Sequence, residues 1–227
     1  MFKKTNNQKI KTVLMYQMWY LLPSFAVMAG ILIVFMILST TAGIINTSYD
    51  MAVAIFLLVI GLLVQGILFR YCLYNGTSRR TYFIASMIAV FVFSTLVGLF
   101  AATAITIDGG SSIFEMVYTP QSFFAKFAWV TLLSAMCMII GWFMKVVFDA
   151  LSRFWRFFAI GALFAVVVIL ILINFFAVPD MFWRVTGAIL GLRLYSPTPY
   201  FALMWFSVLS FGFGTATWLI LRRVQVN

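Results

Sequence analysis

The chain has 227 residues, of which 65% are hydrophobic and only 9% are charged, and its mean hydropathy is +1.11. In soluble domains about a quarter of the residues are charged, so this composition excludes a soluble globular protein and leaves no room for a separate soluble domain. The basic residues behind the formal net charge of +10 flank the apolar stretches. They therefore indicate orientation in a membrane and not nucleic-acid binding.

Six long stretches of the chain contain no charged residue, and each has the roughly 18–20 mostly apolar residues that a transmembrane helix needs. These stretches are Thr12–Tyr49, Met51–Phe69, Thr81–Ile107, Phe127–Met144, Phe157–Pro179 and Leu194–Leu221. The first is too long for a signal peptide, and no small-residue cleavage site follows it, so we expect a permanent span. The sequence predicts an all-α, polytopic membrane protein with six transmembrane helices in a single domain over residues 1–227.

The basic residues are distributed unevenly between the two sides of the predicted membrane. With a cytoplasmic amino terminus, twelve of the 15 fall on the inner side: Lys3, Lys4, Lys9, Lys11, Arg70, Arg79, Arg80, Lys145, Arg153, Arg156, Arg222 and Arg223. Only Lys126, Arg184 and Arg193 fall outside. This positive-inside asymmetry predicts a multi-pass protein of an inner or plasma membrane with both termini in the cytoplasm.

The chain begins with a polar, basic segment at residues 1–22. A helix over Gln8–Leu22 places aromatic residues near the lipid headgroups, so we expect an interfacial helix that turns at Pro23 into the first span. The alternative is that this helix simply extends the first span. The span proper is expected at Ser24–Ile45, followed by a tight outer turn at Asn46–Asp50.

The second and third spans are expected at Met51–Phe69 and Tyr82–Ile105. In the third span Ser94, Gly98 and Ala102 recur at intervals of four. Small residues at that spacing form one stripe on a helix and let a neighbouring backbone approach closely. We interpret the stripe as a packing surface and not as a substrate path.

The second half of the chain starts with a longer outer loop at Ile107–Lys126. The fourth span is expected at Phe127–Phe148, the second inner loop at Asp149–Arg156 and the fifth span at Phe157–Val178. The sixth span is expected at Tyr200–Leu221, where two arginines stop it. No internal repeat divides the chain into two halves.

The segment between the last two spans, at residues 180–193, is unusual. Its helical apolar pattern over Asp180–Leu192 is only about 12 residues long, which is too short to cross a membrane. Pro179 precedes it, and Pro197 and Pro199 follow it. We therefore expect a re-entrant or interfacial helix on the outer side.

The residue types that are missing limit the chemistry. The sequence has no histidine and only two, separated cysteines, Cys72 and Cys137, which excludes the common metal sites and histidine-based catalysis. It contains no phosphate-cradling Gly-Lys-Ser/Thr loop, and no acidic residue lies deep in a span, as a proton relay requires. We therefore expect no enzyme activity and no cofactor in this chain, and we expect the two cysteines to pack without forming a disulfide.

The first inner loop, Tyr71–Arg80, carries the most specific pattern. The pair Asn75–Gly76 is typical of a helix that ends in the left-handed conformation, and Thr77 or Ser78 is suited to cap the next helix. The sequence thus predicts two rigid helices joined by a sharp elbow on the cytoplasmic face. A soluble partner that pushes on such an elbow moves both spans together.

The run Leu73-Tyr-Asn-Gly-Thr-Ser-Arg-Arg-Thr-Tyr-Phe83 resembles the NG(V/T)SR(K/R)T loop of small permeases of ABC-2 type transporters, mostly from Gram-positive bacteria. The ending Trp205–Arg223 is similar to their last span. The resemblance implies an N-terminal interfacial helix, a coupling helix in the first inner loop that docks in a separate ATPase subunit, and short re-entrant helices on the outer side. Residues 8–22, 71–82 and 180–193 fit these three places.

The resemblance also implies a function: the membrane permease subunit of an ATP-driven ABC-type exporter in a bacterial cell membrane, moving amphipathic or hydrophobic cargo such as a peptide, lipid or drug-like molecule. ATP and Mg are then expected on the partner ATPase, and a second permease subunit, identical or different, completes a dimer in membrane lipid. The residues implied in coupling to the ATPase are Asn75, Gly76, Ser78, Arg79 and Arg80.

Three alternatives remain open on the sequence. The pair Asn75–Gly76 is also compatible with a generic turn, and Arg79 and Arg80 with a topology signal alone. At the level of function, the alternative is a membrane-embedded substrate-capture or immunity protein without its own transport cycle.

Overall fold

A computed structural model describes residues 6–42, 49–108, 122–151 and 199–223, which are almost entirely α-helical and contain no strand. The helices are α1 (Asn6–Ala42), α2 (Tyr49–Tyr74), α3 (Arg79–Asp108), α4 (Phe123–Ala150) and α5 (Pro199–Leu221). In this part of the chain five helices are long and apolar enough to cross a membrane. The predicted all-α, multi-pass architecture is confirmed to that extent. The predicted fifth span and the segment at 180–193 lie outside the described residues.

Helix α4 is the centre of the bundle and packs against α2, α3 and α5. Glycines bring α2 and α4 into backbone contact: a Cβ atom at Gly61 would collide with the Met138 carbonyl, and one at Gly141 with the Leu58 carbonyl. These collisions would be with backbone atoms, which a rotamer change cannot move. The α2–α4 interface therefore depends on the absence of a side chain at both positions.

The small-residue stripe of α3 is buried, as predicted. Ser94 and Ala102 are completely inaccessible, and a Cβ atom at Gly98 would collide with the side chain of Thr131 on α4. The stripe is thus the surface on which α3 and α4 pack. Its interpretation as a packing surface is confirmed.

Helix α1 differs from the prediction because it does not turn at Pro23. It is one helix of 37 residues with Pro23 inside it. Leu21 before the proline and Met28 after it are both buried, and α1 packs mainly against α3. Proline removes a backbone hydrogen bond from a helix and its ring crowds the preceding turn, but it is tolerated in a membrane helix where neighbouring helices hold the flanking turns. The alternative, that residues 8–22 extend the first span, describes the observed helix.

Aromatic and polar contacts fix the relative directions of the helices. The Tyr16 and Tyr71 rings stack, so the start of α1 lies beside the end of α2. Arg70 approaches Asp149, which places the end of α4 at the same end of the bundle. Since α5 also ends there, as described below, Ala150 and Pro199 lie at opposite ends.

A hydrogen bond between two polar side chains joins α1 to α3 inside the bundle. Gln17 of α1 is fully buried, and its Nε2 donates a 2.7 Å hydrogen bond to Ser86 Oγ of α3. Inside the bundle, away from water, this bond gives the Gln17 amide nitrogen and the Ser86 hydroxyl a partner. Cys72 and Cys137 are both buried and free, which confirms that they pack without a disulfide.

Candidate functional site

The predicted elbow, residues 71–82, is an ordered turn between α2 and α3. Gly76 has a φ of +74°, its N–H donates to Leu73 O at 2.9 Å, and the Thr77 N–H donates to Cys72 O at 3.0 Å. This pair of hydrogen bonds closes the carboxyl end of a helix around a left-handed residue. The prediction that the Asn75–Gly76 pair ends α2 in this conformation is confirmed.

The next helix begins with a side-chain cap. The Thr81 N–H donates to Ser78 Oγ at 3.2 Å, and the hydroxyls of Ser78 and Thr81 lie 2.8 Å apart. Of the two candidates Thr77 and Ser78, the capping residue is therefore Ser78. Asn75 Nδ2 donates to Tyr71 O at 2.9 Å, so the turn is held at both ends by its own side chains.

The five residues implied in coupling differ in how they are presented. Asn75, Gly76, Ser78 and Arg80 are exposed, whereas Arg79 is half-buried. The first four lie where a soluble partner could reach them. Arg79 points back to the bundle, and its contacts give it a different role.

Arg79 joins the elbow to the last helix. Its Nη1 donates to the carbonyl oxygens of Leu221 at 3.2 Å and of Arg222 at 2.8 Å. These carbonyls are at the carboxyl end of α5, where helix groups lack intrahelical partners and the helix dipole favours a cation. The guanidinium therefore caps α5 from the first turn of α3. Sequence reasoning placed Arg79 in the elbow but could not identify this contact, which joins positions far apart in the chain.

A layer of aromatic rings, which we call the aromatic layer, lies beneath the elbow. Its members come from α2, α3, α4 and α5: Phe69, Tyr82, Phe83, Trp142 and Trp218. Tyr82 has its ring centroid 5.1 Å from Phe69 and 6.1 Å from Trp142. Phe83 lies 5.6 Å from Trp142 and 5.1 Å from Trp218. Contacts of this kind contribute roughly 0.5–1.5 kcal/mol each beyond area burial, so the layer connects four helices just inside the elbow.

The positions of these rings in the sequence are a signal for the aromatic layer. Each ring lies within about two turns of the predicted inner end of its span. Aromatic residues at span ends are usually interpreted as an interfacial belt. In this bundle Tyr82 and Trp142 are completely buried, so these two rings pack between helices.

The elbow end of the bundle is positively charged. Lys145 Nζ lies 2.9 Å from Asp149 Oδ1, and Arg70 approaches the same oxygen at 4.0 Å. The Arg222 guanidinium lies over the Trp218 ring at 5.9 Å. Ion pairs at a protein surface contribute about 0–1 kcal/mol, so the cluster determines the surface potential more than the stability.

In the part of the chain that the structure describes, no group of three or more His, Cys, Asp or Glu residues is arranged to hold a metal ion. Comparisons with models of protein families, with curated proteins and with solved structures find no match to this chain. The function has to be inferred from the elbow, its contact with α5 and the aromatic layer.

Proposed function

We propose that this chain is the membrane permease subunit of an ATP-driven ABC-type exporter, and that a separate ATPase subunit acts on it at the elbow. The observation that supports this proposal best is mechanical. A compact, hydrogen-bonded turn is exposed at one end of the bundle, and Arg79 joins it to the end of another membrane helix.

The elbow is suited to receive force because it is stiff. Its hydrogen bonds at Gly76 and Thr77 close α2, and the Ser78 side chain caps α3. A flexible loop would absorb a displacement, whereas this turn transmits it to both helices. Exposed Asn75 and Arg80 offer a partner an amide and a guanidinium for hydrogen bonding.

The contacts beneath the elbow extend the displacement to other helices. Arg79 carries it to the end of α5, and the Tyr82–Trp142 contact carries it to α4. Helix α4 is in turn packed on α2, α3 and α5. A load on one turn thus reaches four helices, which is the property that a subunit driven by an external motor needs.

The resemblance of the elbow sequence to ABC-2 permeases supplies the remaining parts of the proposal. These are an ATPase that carries ATP and Mg, a second permease subunit, a bacterial cell membrane, and cargo that is amphipathic or hydrophobic. The cytoplasmic placement of the elbow rests on the positive-inside rule. The basic cluster at that end supports this orientation.

The test is co-purification of a stoichiometric ATPase from the native membrane, followed by transport in vesicles. We expect Arg80→Glu to weaken ATPase binding and transport while the amount of inserted protein is unchanged. The matched control is Arg223→Glu, since Arg223 is also exposed but lies beyond α5 and outside the elbow. Absence of any ATPase, or full coupling by the Arg80→Glu variant, would contradict the proposal and favour a capture or immunity protein.

A further inference from the structure

The first turns of α1 reach beyond the hydrocarbon of the membrane. Its 37 residues make a helix of about 55 Å, whereas a bilayer measures about 40–45 Å with its headgroups. The uncharged stretch begins at Thr12, and Lys9 and Lys11 before it are both exposed. These two ammonium groups therefore lie at or beyond the headgroups of the leaflet on the elbow side.

Exposed aromatic residues mark the same level on α1 and α2. Trp19 is 71% exposed and Tyr74 is 76% exposed, and three further tyrosines are exposed beside them: Tyr16, Tyr20 and Tyr71. Tyrosine and tryptophan concentrate at the membrane–water interface because their rings are apolar and their tips are polar. This end of the α1–α2 surface is thus at headgroup depth.

One contact organises this surface. The rings of Tyr16 and Tyr71 stack with centroids 4.8 Å apart and an interplanar angle of 13°. Lys9 lies seven residues before Tyr16, which is close to two helical turns, so both are on the same face of α1. The surface therefore combines a flat aromatic pair, phenolic hydroxyls and a nearby cation.

The net charge around this surface is positive. Among the described residues, Asp149 is the acidic residue at the elbow end, and it is already bonded to Lys145. Further into the membrane, α2 continues from Tyr71 with exposed Ile67 and Leu63. A ligand that fits has an anionic head at Lys9 and an apolar tail along α2.

We propose that the α1–α2 surface at the elbow end binds an anionic phospholipid, with Lys9 contacting the phosphate and the stacked Tyr16–Tyr71 pair supporting the headgroup. The acyl chains lie along Ile67 and Leu63. This lipid site does not depend on the proposed transport function. The lipid bridges α1 to the end of α2 and so contacts the helix that leads into the elbow.

The test measures binding of fluorescent phosphatidylglycerol and phosphatidylcholine to the purified full chain in nanodiscs. We expect preference for phosphatidylglycerol that declines as salt rises, because exposed charges are screened. Each basic residue near an anionic surface is worth about a factor of five, so Lys9→Gln should weaken phosphatidylglycerol binding roughly fivefold. Lys9→Arg should retain it.

The matched control is Arg222→Gln/Arg223→Gln, which removes two charges from the same end of the bundle but not from α1 or α2. We expect this variant to bind phosphatidylglycerol normally, and millimolar inorganic phosphate not to displace the lipid. An equal loss in the control would show a general charge effect and overturn the site. Equal binding of the two lipids would show that the surface does not select an anionic headgroup. That result would also overturn the lipid site and would favour a protein partner there.

Discussion

Arg79 Nη1 donates a 2.8 Å hydrogen bond to the carbonyl oxygen of Arg222, so the first turn of α3 is bonded to the residue that follows α5. Nearly two thirds of the chain separates these two residues. The contact gives Arg79 a role inside the subunit, in addition to any contact with a partner. It also predicts that the end of α5 and the elbow move together.

Two substitutions of Arg79 separate the effect of its hydrogen bonds to the end of α5 from the effect of its positive charge. Arg79→Gln should weaken the attachment of α5 by about 1.5–3 kcal/mol, the range for hydrogen bonds to a charged group. Arg79→Lys keeps the charge but loses the planar fork, so it should recover only part of the stability. Thermal unfolding in detergent measures the effect. If Arg79 serves topology alone, the lysine variant will unfold like the parent.

Gly76 should resist substitution by residues with a Cβ branch. Its φ of +74° costs an L-residue roughly 1–2 kcal/mol, so Gly76→Val should destabilise the elbow, whereas Gly76→Asn should be tolerated. Hydrogen exchange of the Thr77 amide reports the change locally, because that N–H donates across the turn.

Steric crowding cannot explain the expected effect at Gly76, because nothing lies within 4 Å of a Cβ atom built there. Gly212 has equally open surroundings but an ordinary helical backbone. Gly212→Val is therefore the matched control. Equal Thr77 exchange in Gly76→Val and in the parent would contradict the prediction.

The close α2–α4 contact predicts a different pattern. Gly141→Val should push the two helices apart, because the new side chain would collide with the Leu58 backbone. Overpacking of this kind typically costs about 1–3 kcal/mol. Thermal unfolding measures the loss, with Gly212→Val again as the control. We expect Gly61→Val to behave like Gly141→Val, and unchanged stability of both would refute this interface.

The sequence predicted the helices far better than their contacts. Charge-free stretches identify spans because every transmembrane helix needs enough apolar residues to cross the hydrocarbon core. The observed α3, Arg79–Asp108, exceeds the predicted span by only about one turn at each end. The elbow was predictable because its signals, Asn75–Gly76 and Ser78, act on their immediate neighbours. Turn and cap signals of this kind can be recognised in a short stretch of sequence.

Contacts between distant segments left no such signal. The Arg79–Arg222 bond and the Gln17–Ser86 bond join helices whose packing has to be known first. The continuation of α1 as one helix through Pro23 was missed for the same reason. The packing of α1 on α3 decides whether the chain turns at Pro23 or continues as one helix. The intrinsic preference of proline alone predicts a turn.

The orientation of the bundle gives the last prediction. If the elbow faces the cytoplasm, Asn75→Cys and Arg223→Cys should react with a membrane-impermeant thiol reagent only after the membrane is opened, whereas Ser122→Cys should react in intact cells. The background is Cys72→Ala/Cys137→Ala, which is suitable because both native thiols are buried and the replacement is small. All three probe positions are exposed, so failure to label cannot be attributed to burial within the chain. Labelling of Asn75→Cys from outside intact cells would reverse the orientation, remove the elbow from the reach of a cytoplasmic ATPase and move the proposed lipid site to the outer leaflet.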